Sequence, residues 1–155
     1  MVAYITRQQD GRRQLLVFTH RHYPEAGVQV PAGTVEWSEP VEVALLREVR
    51  EESGLSGLRV VGKLDEQYLP EFDETWHVFH LSAPDGLPDS WDWLTNDYHD
   101  EAARERDERL VFSFYWADLD STVELEKPEQ GWWLNLVADG SPEPSKHNYR
   151  KSDLG

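Results

Sequence analysis

The 155-residue chain contains no cysteine, which excludes disulfides and thiolate metal sites. No apolar run approaches the roughly 20 residues needed to span a bilayer. The start, Met1 to Arg7, lacks the basic-then-apolar pattern of a secretory signal. Together these absences favour a cytoplasmic protein with no membrane partner. Basic residues are also scarce: 15 Lys and Arg stand against 30 Asp and Glu, a net charge of -15. Broad contact with a nucleic-acid duplex needs a basic footprint, so that function class is excluded. A small anionic substrate remains compatible if divalent cations screen it locally.

Hydrophobic residues make up 39% and charged residues 29%, the balance of a folded domain. The length fits one compact domain, expected over 1–138, with a polar tail over 139–155. Strands are expected at Val2–Thr6 and Gln14–Thr19, joined through Asp10-Gly11, a strong hairpin signal. Short extended pieces follow at Val28–Val30 and Thr34–Glu36. Ser38 reads as an N-cap and Gly54 as a C-terminal stop, which predicts a helix over about 39–53. Leu45, Leu46 and Val49 would share its apolar side. Further strands are expected at Leu58–Tyr68, Trp76–Leu81 and Leu110–Trp116. Pro84, Gly86 and Pro88 mark Ala83–Trp93 as loop-like, and the charged run Asp97–Arg109 as a solvated helix or a loop. A closing helix is expected over about 129–138, with Trp132, Trp133, Leu136 and Val137 packing on the core. The pattern is α/β, with helices covering a small mixed sheet.

The central helix carries Glu48, Glu51 and Glu52 at i, i+3 and i+4, on one face. Three like charges in the C-terminal half of a helix repel one another and oppose its dipole. Arg47 and Arg50 offset them if the face is merely solvated. A hard divalent cation also resolves the conflict, because Mg²⁺ binds through carboxylates, waters and substrate phosphates. Gly33, in Pro31-Ala32-Gly33, lets the backbone pass close to this face, where a carbonyl can join a metal shell. Glu39 and Arg47 are two helical turns apart and can brace the loop.

Gly33 to Leu55 resembles the Nudix box, Gly-x5-Glu-x7-Arg-Glu-U-x-Glu-Glu-x-Gly-U, with U a bulky aliphatic residue. Gly33, Glu39, Arg47, Glu48, Val49, Glu51, Glu52, Gly54 and Leu55 fill every defined position. The resemblance implies an α/β/α sandwich and hydrolysis of a nucleoside diphosphate linked to another group. It implies that Glu48, Glu51, Glu52 and the Ala32 carbonyl bind Mg²⁺ or Mn²⁺, while Arg47 and Glu39 orient the loop and the glutamates. Water would attack phosphorus in line, one glutamate or a base outside the box taking the proton. Members often recruit another acid from a late loop; Glu101, Glu105, Asp107 and Glu108 are candidates, Glu108 preferred. Arg21 and His22, in a loop with cationic and stacking groups, are candidates for substrate contact, as is Gly33. Trp91 and Trp93 are candidates for base stacking, for packing within the domain or for a dimer contact. His77 and His80 fall on opposite strand faces and make poor joint ligands. Pro31-Ala32-Gly33 and Pro70 are similar to features of ADP-ribose pyrophosphatases, so nucleotide sugars and (deoxy)nucleoside triphosphates both stay open. A catalytically silent nucleotide sensor of the same fold is the alternative, and a homodimer is left open.

Overall fold

The computed structural model describes residues 1–121 and 123–138; the polar tail expected over 139–155 lies outside the described residues. Six strands form one mixed sheet. They are β1 (Val2–Gln9), β2 (Arg12–His20), β3 (Arg59–Leu69), β4 (Glu74–Ser82), β5 (Ser90–Tyr98) and β6 (Arg109–Asp118). Their order across the sheet is β3-β4-β1-β2-β6-β5. Only the β1–β4 pair is parallel; the other neighbours run antiparallel. The hairpin between β1 and β2 turns at Asp10 and Gly11, both at positive φ (53° and 76°), as a tight two-residue turn requires.

Side chains alternate across this sheet and build two cores. Leu16 and Phe18 of β2 join Ile5, Phe79, Phe112 and Phe114 beneath helix α1 (Val41–Ser53), which contributes Leu45 and Val49. Leu15 and Val17 face the other way, with Tyr4 and Val78. That face is covered by Trp133 and Val137, from a 3-10 turn (Pro128–Trp133) and helix α3 (Leu134–Ala138). Helical segments on both faces make the α/β/α sandwich that the box implied.

Several boundaries differ from the sequence expectation. Ser38 is not the N-cap: its φ of 63° is left-handed, and α1 starts at Val41 after Pro40, with no side-chain cap. Pro40 disfavours helical backbone at Glu39, so the carboxylate is left in the loop, free to meet Arg47. Leu46 is 40% exposed, because one residue on from Leu45 is about 100° around the helix. The closing helix is instead a 3-10 turn up to Trp133 followed by a short α-helix from Leu134, in line with Pro128 and Gly131 being poor helix formers. Ser90–Tyr98 is strand β5 and not loop, and the charged run holds helix α2 (Glu101–Glu105), capped where Asp100 accepts from the Ala103 N–H at 2.8 Å.

Residues 28–33 insert between the splayed ends of β1 and β2. Gln29 bridges to Phe18, and Ala32 bridges to Val2. This wedge sets the loop that begins the box beside the C-terminal half of α1.

Candidate active site

Two indoles hold the end of α1 in place. The Trp91 N–H donates to the Ser53 carbonyl at 3.0 Å, and the Trp93 N–H to the Glu51 carbonyl at 2.8 Å. They satisfy carbonyls that a helix end leaves open. Trp91 also stacks on Phe114 in the core, while the Trp93 ring remains partly exposed. Gly54 sits under the Trp93 ring at φ 76°, where a Cβ would lie 2.4 Å from the ring.

The carboxylates then take distinct environments. Glu52 is turned inward, and its Oε2 accepts from the Ala32 N–H at 3.3 Å. Burial pushes its pKa up to about 8, with Glu48, Asp97 and Glu51 adding to the rise and the Ala32 hydrogen bond opposing it. Glu48 is also raised, first by burial and then by Glu51 and Asp97, against the pull of Arg47. Glu51 is half-exposed.

Arg47 is the hub. Its Nε and Nη2 grip both oxygens of Glu39 at 2.8 and 2.9 Å. Its Nη1 reaches Glu48 at 2.8 Å and Glu51 at 3.1 Å, and Nη2 reaches the Thr34 carbonyl at 3.2 Å. A planar fork is suited to this many acceptors at once. The hydrogen bond from Arg47 holds the Glu39 carboxyl below the usual range. Arg47 thus joins Glu39, Glu48, Glu51 and the Thr34 carbonyl through hydrogen bonds.

Gly33 is required for space. A Cβ there would come within 2.3 to 2.5 Å of Glu48 side-chain atoms. Gly33→Ala should displace Glu48, whose side chain can move, more than it destabilises the fold. Activity should drop about 100-fold, the scale of an ångström-sized misplacement, with a small change in melting temperature. Near-normal kcat/KM in that variant would refute the close approach.

Among the described residues, no three His, Cys, Asp or Glu side chains are arranged to hold a metal ion as they stand. Arg47 takes up Glu48 and Glu51, and burial raises the pKa of Glu52. The donor set nonetheless fits a hard divalent cation. Glu48 lies against Gly33 and Glu52 against Ala32, and the charge of Asp97 acts on both glutamates. In the Val2–Ala32 bridge, Gly33 N bonds Met1 O and Ala3 N bonds Pro31 O, so the Ala32 N–H and carbonyl both face away from β1. The Ala32 N–H meets Glu52, so its carbonyl opens toward the same carboxylates.

If Glu52 holds a cation, binding displaces its proton. Affinity for Mn²⁺ should therefore climb as pH rises toward about 8 and level off above it. Calorimetry in buffers of different ionisation enthalpy reads the proton released. Affinity independent of pH across that window would contradict the burial of Glu52.

Glu108 is not brought to the cluster. It pairs with Arg106 at 2.9 Å at the exposed end of α2, where the chain turns into β6. Asp97, on β5, is the late acid whose charge acts on both Glu48 and Glu52. The signal for it was strand β5 itself, hidden behind the Pro- and Gly-rich stretch before it. Arg21 pairs with Asp92, which alternates with Trp91 and Trp93 and so lies on the sheet face away from α1. His22 is exposed beyond the end of β2. A cavity of about 420 Å³ adjoins the loop, lined by Ala32, Gly33, Thr34, Thr75, His77 and Gln130 among others; neither Arg21 nor His22 reaches it. Pro70 lies outside it, in the turn between β3 and β4.

The NUDIX domain model matches residues 1–139. The chain belongs to the Nudix hydrolase family. An RNA pyrophosphohydrolase of Caulobacter vibrioides is 28% identical over 124 residues, spanning 77% of this chain and 72% of that protein. The crystal structure of a C. elegans Ap4A hydrolase binary complex superposes with a TM-score of 0.62 at 16% identity, covering 90% of this chain and 95% of that one. That of a MutT NUDIX hydrolase from Burkholderia pseudomallei gives 0.51 at 24% identity, covering 87% and 95%. At these identities the two structures show a shared fold. For this Nudix chain, every box residue now has a position, and the charge of Asp97 acts on Glu48 and Glu52 from outside the box.

Proposed function

We propose that this Nudix hydrolase cleaves a phosphoanhydride bond in a nucleoside diphosphate linked to another moiety, using Mg²⁺ or Mn²⁺. The observation that carries this is the complete box in place, with Arg47 tying Glu39, Glu48 and Glu51 to the Thr34 carbonyl and Glu52 accepting from the Ala32 N–H. Glu48, Glu51, Glu52 and the Ala32 carbonyl would hold the cation. When bound, it supplies positive charge against the phosphates and lowers the pKa of water.

The remaining steps belong to the chain's own residues. Arg47 keeps the glutamates and the loop in register through Glu39 and Thr34. Glu52 Oε2 is engaged by Ala32, which leaves Oε1 as the oxygen to hold a transferred proton.

Both the RNA pyrophosphohydrolase and the Ap4A hydrolase are named for phosphate-linked nucleotides, which supports a nucleotide substrate. Pro31-Ala32-Gly33 keeps nucleotide sugars beside them. The test is a panel in Mg²⁺: nucleoside triphosphates, ADP-ribose, dinucleoside tetraphosphates and 5′-triphosphate RNA, with products identified. Release of a nucleoside phosphate or pyrophosphate from at least one is expected. Tight binding without turnover across the panel would favour the silent sensor.

A further inference from the structure

Helix α1 buries Ala44, Leu45, Val49 and Ser53 and carries the box glutamates on an adjoining side. A further side of the same helix has no task in hydrolysis. Glu42, Leu46 and Arg50 form one row along it, at i, i+4 and i+8, with Val43 beside them. At about 100° per residue the four fall within an arc of about 100°. All four are exposed, Val43 by 55%. Trp37, in the turn that leads into the helix, is 97% exposed. That turn is fixed at both ends: the Glu39 N–H donates to the Glu36 carbonyl at 3.1 Å, and the Glu36 N–H to Glu39 Oε2 at 3.1 Å. Single exposed apolar side chains are ordinary, but Trp37, Val43 and Leu46 gather at one element.

Glu42 and Arg50 indicate what covers this face. Among the described residues, neither the Glu42 carboxylate nor the Arg50 guanidinium has an ion-pair or hydrogen-bond partner. The helix dipole favours an acid in the first turn and a base in the last, which accounts for the two charges. It does not account for the apolar side chains between them. Within one chain the two charges stand about 12 Å apart along the axis and cannot meet. In two copies of α1 packed antiparallel about a two-fold axis at Leu46 they stand at the same level, because Glu42 is as far before Leu46 as Arg50 is after it. Each Glu42 then faces the partner's Arg50, with Leu46 against Leu46 between the pairs. The row carries no net charge, a local match in a chain whose charge of -15 otherwise opposes self-association. The same arrangement carries Trp37 toward the C-terminal end of the partner's helix, where Trp93 is partly exposed.

We propose that the outer face of α1 is a homodimer interface, with two copies meeting antiparallel across Leu46 and closed by reciprocal Glu42–Arg50 pairs. Such a contact is isologous, the same patch serving both copies. Glu48 and Glu52 lie on a different side of the helix, so the carboxylate centres stay outside the contact. The patch is small, and association in the micromolar range is expected.

Sedimentation velocity on the full chain, from micromolar to near-millimolar concentration, tests it. The wild type should pass from monomer to dimer over that range, and its melting temperature should rise with concentration. Leu46→Glu sets two like charges on the axis and should keep the chain monomeric throughout, with the melting temperature of dilute wild type. Glu42→Arg and Arg50→Glu, each alone, should weaken the dimer at least about tenfold, since each opposes like charges at both pairs. Combined, they exchange the two charges and should bring association back to within about threefold of wild type. A monomer at every concentration would overturn the proposal. So would a dimer indifferent to Leu46→Glu, which would put the interface elsewhere. A combined variant no tighter than the single ones would overturn the reciprocal pairing and the antiparallel arrangement with it.

Discussion

Glu52→Gln should lower turnover by about two to four orders of magnitude and raise the melting temperature of the metal-free protein at alkaline pH. The first effect follows from removing a charge beside the Ala32 backbone, where the cation and the transferred proton are both served. The second follows from burial. The Glu52 pKa is about 8 in the folded protein against 4.5 when unperturbed. A raised carboxyl favours folding fully below pH 4.5, and that contribution is lost as pH rises through about 8. Glutamine never ionises, so the melting difference between variant and wild type should be near zero at pH 4.5. It should grow toward pH 8 and then level off. Each kcal/mol of relieved charge burial is worth roughly 2–4 °C in a domain of this size. Millimolar Mn²⁺ at pH 8 should raise the melting temperature of the wild type and leave the variant nearly unmoved. Equal activity in the variant, or a flat melting difference, would refute this account of Glu52.

Arg47→Lys should cost about 10- to 100-fold in kcat/KM and raise the cation concentration needed for half-maximal rate, although the charge is retained. One ammonium cannot span both oxygens of Glu39 and also reach Glu48, Glu51 and the Thr34 carbonyl. The loop and the glutamates would lose their common reference point. Arg47→Ala should be at least as severe. It should also lift the Glu39 pKa toward its ordinary value, because the Arg47 hydrogen bond is what lowers it. Wild-type kinetics in Arg47→Lys would show that charge alone suffices at this position.

The centre of the fold was legible where local chemistry is strict. Asp10-Gly11 can satisfy two positive φ angles in a row, so the first hairpin was readable. The three glutamates were readable because their repulsion has no benefit to stability. Gly33 was readable as a close approach, and the structure gives its reason as the Glu48 side chain. Strand β5 was half lost because Pro84, Gly86 and Pro88 extend a loop signal up to a strand held mainly by β6. Its end, Asp97, was lost with it. Charge density made Glu108 attractive, but Arg106 two residues away satisfies it locally. Arg21 was likewise claimed by Asp92, a partner 71 residues distant that no local pattern announces.

The most direct measurement of the central claim is hydrolysis of the panel in heavy-oxygen water, with Mg²⁺ and with chelator, by the wild-type chain. The account predicts that heavy oxygen enters one phosphorus-containing product, once per bond cleaved, in Mg²⁺. It predicts no product in chelator. Turnover that persists without divalent cation, or product whose phosphorus carries no oxygen from solvent, would contradict it.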